Sequence, residues 1–291
     1  MIPVCLHDKE ELFSYLKKNV YLHLYSIGDL DEFFWDYTTW YGSKEGGELK
    51  AVVLVYSGTC IPVLLALTDE LSHMKNLISS ILHLLPPKFH AHLSPGAEEP
   101  LRGQYRLKSS GTYCKMALTN REFITMVDTS SVIHLSRKDL SAIEVLYKES
   151  YPKNAFDARM LETNYYYGIR TPSGLASIAG IHVYSKKYRV AALGNITTHP
   201  DFRRKGFATT VTAKLCLSLL ETVDHVGLNV KADNEAAIHC YSNLGFEVVC
   251  QYDECTAELE CKEKPSRGER SFDITKSHQT MRLHQSLYLF I

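Results

Sequence analysis

Two stretches of the chain set chemically capable residues at telling intervals. The first, His199-Pro200-Asp201-Phe202-Arg203-Arg204-Lys205-Gly206-Phe207-Ala208, places three cations and a glycine where the apolar run Val190 to Thr198 gives way to helical periodicity near Phe207. Free N–H groups at such a helix start, beside Arg203, Arg204 and Lys205, suit a pyrophosphate, and Gly206 lets a ligand approach the backbone. The patterns GxxxxGK[ST] and GxGxxG are absent, which argues against a P-loop nucleotide triphosphatase and a dinucleotide fold. The second stretch runs from Leu228 to Phe246. It reads as a strand followed by a helix bearing Asn234, Ala237 and Tyr241 and closed by Gly245. A phenol with a reference pKa of about 10 can hand a proton to a leaving group near neutrality. Packing of the Tyr241 ring beside Leu244 is the competing reading.

Other candidates carry less. His90 and His92 form HAH without a third ligand at suitable spacing, and HExxH is absent, so no metal is expected. Eight cysteines include no CxxC pair and read as reduced, mostly buried thiols, as at Cys60 and Cys216. With 33 acidic and 32 basic residues there is no global field to hold nucleic acid or an anionic membrane. The start MIPVCLHDKEELF has no long apolar run and no stretch elsewhere is long enough to span a bilayer, so an intracellular, cytoplasmic protein is the expectation.

The 291 residues suffice for two modest cores, and the chain divides near residue 130. In the first half, helices are expected over Asp8 to Asn19, Leu22 to Trp35 and Leu71 to Leu84, the last ended by Pro86-Pro87. Strands are expected over Leu49 to Tyr56, Ile61 to Ala66 and Tyr113 to Leu118, with a turn at His92 to Gly96. In the second half, helices are expected over 137–149 and 152–161. Tyr165 to Arg170, Leu175 to Tyr184 and Val190 to Thr198 should form three antiparallel strands. Then come a helix from Phe207 to Leu220, a strand from Val226 to Val230, a helix from Asn234 to Leu244 and a strand from Phe246 to Cys250. This is an α/β pattern with a mixed sheet, whose functional loops gather where strand feeds helix. The aromatic run Phe33, Phe34, Trp35, Tyr37, Trp40 and Tyr41 reads as core or interface packing, or as a wall of an acceptor pocket. From Thr256 onward the pattern is polar and a flexible tail is expected.

With these residues in view, the chain resembles the GCN5-related N-acetyltransferase (GNAT) superfamily, in the branch of FR47-like and glycine N-acyltransferase-like proteins. RxxGxA at Arg203, Gly206 and Ala208 resembles its acyl-CoA pyrophosphate loop. Asn234, Ala237, Tyr241, Gly245 and Phe246 resemble its second signature, and the likeness is strong over about residues 135–252. Gly28-Asp29-Leu30 and Lys115-Met116-Ala117-Leu118 resemble, more faintly, a degenerate first domain of the same kind. The resemblance implies two tandem domains, a degenerate one over 1–130 and a catalytic one over 131–255, with 256–291 as tail. It implies transfer of an acetyl or other short acyl group from acyl-CoA to a primary amine, by direct attack through a tetrahedral intermediate. The cosubstrate would be held by Arg203, Arg204, Lys205, Gly206, Phe207, Ala208 and Thr209, by Asn234, Ala237 and Tyr241, and along Ile196, Thr197 and Thr198. That strand would part from its parallel neighbour and offer a backbone oxyanion donor. Tyr241 would act as general acid. No carboxylate stands in Val190 to Thr198, where relatives place a base, which leaves His182, Glu162 or a water relay for that role. His199 beside Pro200 reads as a structural turn. The acceptor would be a small amine, an amino acid or a peptide. The alternative is a noncatalytic acyl-CoA-binding or interaction module of the same fold.

Overall fold

The computed structural model describes residues 3–152, 154 and 156–260. A twelve-stranded sheet runs through them. In chain order its strands are β1 (Val4–Leu6), β2 (Thr38–Glu45), β3 (Glu48–Tyr56), β4 (Val63–Ala66), β5 (Lys88–Leu93), β6 (Tyr105–Leu118), β7 (Ile133–His134), β8 (Tyr167–Thr171), β9 (Gly174–Ser185), β10 (Val190–Thr198), β11 (His225–Lys231) and β12 (Phe246–Leu259). In space they lie in the order β1-β2-β3-β4-β5-β12-β6-β11-β10-β9-β8-β7. When β1–β6 are matched with β7–β12, that order reads the same from either end. Each half has a parallel pair, β4 with β5 and β10 with β11, and the remaining pairings are antiparallel. The last strand of each half crosses over: β12 pairs with β5 of the first half, and β6 pairs with β11 of the second. The two crossing strands pair with each other along their whole length, from Phe246 opposite Leu118 to Leu259 opposite Tyr105.

The helices are α1 (Lys9–Leu16), α2 (Leu24–Gly28), α3 (Glu32–Trp35), α4 (Leu71–Ile81), α5 (Glu122–Thr125), α6 (Leu140–Ser150), α7 (Phe207–Leu219) and α8 (Glu235–Ser242). Helix α1 starts where the Asp8 carboxylate accepts the N–H groups of Glu10 and Glu11, and it buries Leu12 and Leu16 one turn apart. Helix α4 buries Met74, Leu77, Ile78 and Ile81, a single stripe, against the outer face of the first half. On the second half, α6 and α7 cover a separate core through Ile143, Leu146, Val211, Leu215 and Leu219. A third core joins the halves: α1 and α2 pack Leu12, Leu16, Leu24 and Ile27 together with Val52, Leu54, Val63 and Leu65 on one side and Val183, Val190 and Ala192 on the other. The sheet therefore curls around α1 and α2.

Several sequence expectations needed adjustment. The helix expected over Leu22 to Trp35 is two, because the chain turns at Asp29 and restarts with Asp31 as the cap of α3. In place of a helix over 152–161 there is a 3-10 turn over Ala158–Thr163, begun by the Asp157 cap. His92 and Leu93 belong to β5 and not to a turn, since β5 lies between two neighbours in the sheet. Cys216 is buried as expected, whereas Cys60 is exposed. Strand β12 continues past the expected end at Cys250 and through Thr256, where a tail was expected. The rest of that segment, 261–291, lies outside the described residues. No described helix is long and apolar enough to cross a membrane.

Candidate functional site

The site begins where β10 and β11 separate. Their parallel pairing runs from Val190 opposite His225 to Leu193 opposite Leu228 and stops there. Strand β10 goes on to Thr198 along β9, while β11 goes on to Lys231 along β6. At this point β10 carries a bulge between Gly194 and Thr197, in which Asn195 has a left-handed φ of 54°. Three buried groups hold it. The Tyr147 hydroxyl donates to the Asn195 carbonyl at 2.7 Å, the Asn195 amide donates to the Tyr166 hydroxyl at 3.0 Å, and that hydroxyl donates to the Ile181 carbonyl at 3.1 Å. Beyond the bulge, Thr197 and Thr198 keep β9 on one side and have no strand on the other. Across the gap, the Tyr25 hydroxyl lies by the backbone of Asn229. That hydroxyl and the Asn229 side-chain nitrogen are buried without a hydrogen-bond partner among the described residues. Such orphaned polar atoms mark a place where a polar ligand would be held.

The basic turn follows directly. Pro200–Phe202 forms a 3-10 turn capped by His199, whose Nδ1 accepts the Asp201 N–H and whose Nε2 lies 3.3 Å from Glu149. His199 therefore sits as the turn expected from its proline neighbour. Arg204 and Gly206 are both left-handed, with φ of 62° and 80°. From Arg204 to Thr209 no backbone N–H donates within the described residues, and the first donor of the new helix is Thr210, to the Gly206 carbonyl. Six outward N–H groups at the positive end of a 13-residue helix form a cradle of the size and charge a diphosphate needs. A β-carbon on Gly206 would meet nothing within 4 Å, so the glycine is required there by its φ and the space above it stays open. Arg203 is committed elsewhere, its Nε donating to the Thr198 carbonyl at 3.3 Å, and Lys205 rests over the Phe202 ring at 4.9 Å. Exposed Arg204 faces solvent beside the cradle. The corresponding turn of the first half, Leu67-Thr68-Asp69-Glu70 ahead of α4, is acidic and would repel a phosphate.

Helix α8 closes the far side. Asn234 caps it, its side-chain oxygen accepting the Ala237 N–H at 3.2 Å. Thr209 on α7 touches the Cys240 sulfur at 3.3 Å, which ties the two helices together. Ala237 and Tyr241 face the core of the second half, and the Tyr241 ring packs on Phe246 at 6.0 Å between centroids. Burial raises the Tyr241 pKa well above that of a free phenol, so the group stays protonated across the physiological range. Its charge would also raise the pKa of Tyr25, so the two phenols lie near one another.

Of the base candidates, the structure brings His182 to the gap and leaves Glu162 away from it. A β-carbon on Gly194 would overlap the His182 ring, so the imidazole lies on the backbone where β10 leaves β11. Burial lowers the His182 pKa to about 4, which keeps the ring neutral at pH 7. Glu162 is exposed in the 3-10 turn and ion-paired with Arg137.

His182 also forms one wall of a cavity of about 40 Å³ on the concave side of the sheet, with Tyr25, Asp29, Phe34, Tyr56, His92, Met160 and three aliphatic residues. The walls come from both halves. Asp29 is 9% exposed, and burial raises its pKa to about 7. Below the cavity, His92 Nε2 lies 3.6 Å from Glu254, which also accepts the Tyr252 hydroxyl at 2.8 Å. Burial raises the Glu254 pKa to about 8 and lowers that of nearby Lys115 to about 8. Nothing in the sequence singled out Tyr25, on α2, or Glu254, on the crossing strand β12. Asp29 and Lys115 stood only in stretches that faintly resemble a degenerate first domain. The sequence did mark Phe34, in the aromatic run, as a wall of an acceptor pocket and His182 as a base candidate. Among the described residues no group of three or more His, Cys, Asp or Glu side chains is arranged to hold a metal ion.

Residues 166–255, which run from β8 into β12 and include both helices of the site, match the model of the FR47-like protein family. Among curated proteins, none matches the sequence significantly. Among solved structures, a Drosophila protein aligns with a TM-score of 0.63 at 15% identity, covering 89% of this chain and 98% of its own. A tandem GNAT protein from the clavulanic acid biosynthesis pathway aligns with a TM-score of 0.54 at 15% identity, covering 90% of this chain and 99% of its own. A GNAT-family acetyltransferase from Colwellia psychrerythraea aligns with a TM-score of 0.53 at 13% identity, covering 89% and 100%. At such identities the likeness is one of fold, and it extends over both halves, as the palindromic strand order requires. The chain thus shares the fold of these GNAT proteins over both halves, and residues 166–255 of its second half resemble the FR47-like family.

Proposed function

We propose that the protein transfers an acetyl or other short acyl group from acyl-CoA to a primary amine. The observation that carries this reading is the continuity of the gap between β10 and β11 with the row of free N–H groups from Arg204 to Thr209. An extended thiol arm terminated by a diphosphate has one end to match each feature. The N–H groups and Arg204 would hold the diphosphate. The free edge of Ile196 to Thr198 would pair with the amides of the arm as a missing strand would. A backbone N–H at the Asn195 bulge, fixed by Tyr147 and Tyr166, would stabilise the oxyanion of the tetrahedral intermediate. As the carbon–sulfur bond breaks, the protonated Tyr241 would give its proton to the leaving thiolate. The amine would reach the thioester from the concave side, past His182. The fold of the superfamily supports the class of reaction. The acceptor is argued below from the cavity.

Calorimetric titration with acetyl-CoA tests the reading, run on the native protein and on the double variant Arg204→Glu, Gly206→Asp. The native protein should bind, and the variant should bind at least about 10-fold more weakly, since a carboxylate in an N–H cradle repels the diphosphate. Failure of the folded native protein to bind acetyl-CoA at millimolar concentration would overturn it. Binding without transfer to any amine would instead identify a noncatalytic acyl-CoA-binding module.

A further inference from the structure

The cavity on the concave face has a lining that specifies its guest. Its walls hold three aromatic rings, Tyr25, Phe34 and Tyr56, four apolar side chains and two imidazoles. Asp29 is the one carboxyl group among them. It ends α2, is 9% exposed, and its carboxylate makes no hydrogen bond or ion pair among the described residues. A buried carboxyl group left without a partner is costly, and a chain keeps one where a ligand supplies the partner. Both imidazoles are held neutral by burial, His182 with a pKa near 4 and His92 near 3, so neither competes for the carboxylate as a cation. The volume of about 40 Å³ admits roughly three non-hydrogen atoms, and aromatic faces favour a cationic head. Two of the walls, Tyr25 and His182, also border the gap between β10 and β11.

We propose that this cavity receives the head of a small primary ammonium acceptor and that Asp29 is the general base. The inference rests on the acyltransferase reading and deepens it. The ammonium enters as the counter-ion of the Asp29 carboxylate. One N–H bond then breaks and an O–H bond forms, leaving a neutral amine and a protonated Asp29. The amine lone pair forms the carbon–nitrogen bond to the thioester carbonyl, and the carbon–sulfur bond breaks with its electrons on sulfur, where the Tyr241 proton goes. Of the two protons left on that nitrogen, one stays as the amide N–H and one is released to water, and Asp29 and Tyr241 regain their starting states by proton exchange with solvent. The raised pKa of Asp29, about 7, suits proton acceptance near neutrality. The titratable groups facing it are Tyr25 on α2, Tyr56 on β3, His92 on β5 and His182 on β9, and burial keeps Tyr25, His92 and His182 uncharged at pH 7 to 8.

Ethylammonium chloride is the probe, with sodium chloride and ethanol as controls, followed by nuclear magnetic resonance on the full chain labelled with ¹³C at the aspartate carboxyls. At pH 8 ethylammonium should shift the Asp29 signal saturably, and neither control should. That signal is assigned by its loss in Asp29→Asn. The Asp29→Asn variant should bind acetyl-CoA with native affinity and acetylate ethylamine at least about 100-fold more slowly. The kcat/KM of the native protein should rise through about pH 7, as Asp29 loses its proton, and the variant should lose that step. An unmoved Asp29 signal, or native transfer by Asp29→Asn, overturns the proposal. Should Asp29→Asn not fold, loss of the signal in Asp29→Glu assigns it, and the native protein then decides. A shifted Asp29 signal in a protein that binds no acetyl-CoA would keep the amine pocket and discard the transferase reading.

Discussion

A single oxygen atom on Tyr241 separates the acid from its packing role. The ring rests on Phe246 and borders the core of the second half, and both contacts survive replacement by phenylalanine. Tyr241→Phe should therefore leave acetyl-CoA binding and the melting temperature near native values, while kcat falls by about 100-fold, measured by thiol release. If the tyrosine only packs, kcat will not move. Asp29 is the complementary case. Its environment is hostile to charge from every wall, and that hostility is what raises its pKa into the range where a base works. Tyr241 is driven the same way and becomes a more reliable holder of its proton. Burial thus raises the pKa of both side chains, as the proposed roles of base and acid require.

The elements matter here through their ends and irregularities. The cradle exists because Arg204 and Gly206 both take positive φ, turning successive N–H groups outward before α7 begins. An L residue at a φ of 80° costs about 1 kcal/mol, and the open space above Gly206 means that this backbone cost stands alone. Gly206→Ala should accordingly lower the melting temperature by about 3 °C in a calorimetric scan, a drop that Arg204→Gly should not reproduce. The bulge at Asn195 is the second such device. It ends the parallel ladder, and the buried Tyr147 and Tyr166 hydroxyls keep it from relaxing into a regular strand.

At the scale of the molecule, the crossing of β6 and β12 joins two repeats into one sheet. The Glu254–His92 and Glu258–Lys88 contacts link β12 to the first half, and the pairing of β6 with β11 links the first half to the second. Neither half then has a complete sheet of its own. Residues 1–125 and 126–260 expressed separately should be insoluble or unfolded by circular dichroism. Expressed together, they should associate into a soluble complex. Either fragment folding alone to native secondary structure content would show that the crossing strands are dispensable. The charge of the turns also explains why only one diphosphate cradle is proposed among the described residues. Both halves offer a parallel pair followed by a helix, but the turn before α4 carries Asp69 and Glu70 where the turn before α7 carries Arg204 and Lys205. The first half instead supplies walls of the cavity proposed for the acceptor.

What could be read in advance divides along one line. The strand Val190–Thr198, the β8–β9 hairpin, α4, α7 and the residues around Arg204, Gly206, Asn234 and Tyr241 were legible, because each rests on local periodicity, a cap or a turn within a few residues. Strand β12 was cut short, because its polar residues interrupt the apolar pattern that identifies a strand. In the folded chain Glu258 meets Lys88 and Arg106, and Glu254 is buried beside His92. Of the cavity, only Phe34, as a pocket wall, and His182, as a base candidate, were legible. Asp29 and Phe34, Tyr56, His92 and His182 come from four separate stretches of the chain and meet only because the sheet curls and exchanges its strands. The diphosphate cradle is a local property of the backbone and belongs to the sequence. The acceptor pocket and the raised pKa of its carboxyl group arise from burial, which only the assembled halves create.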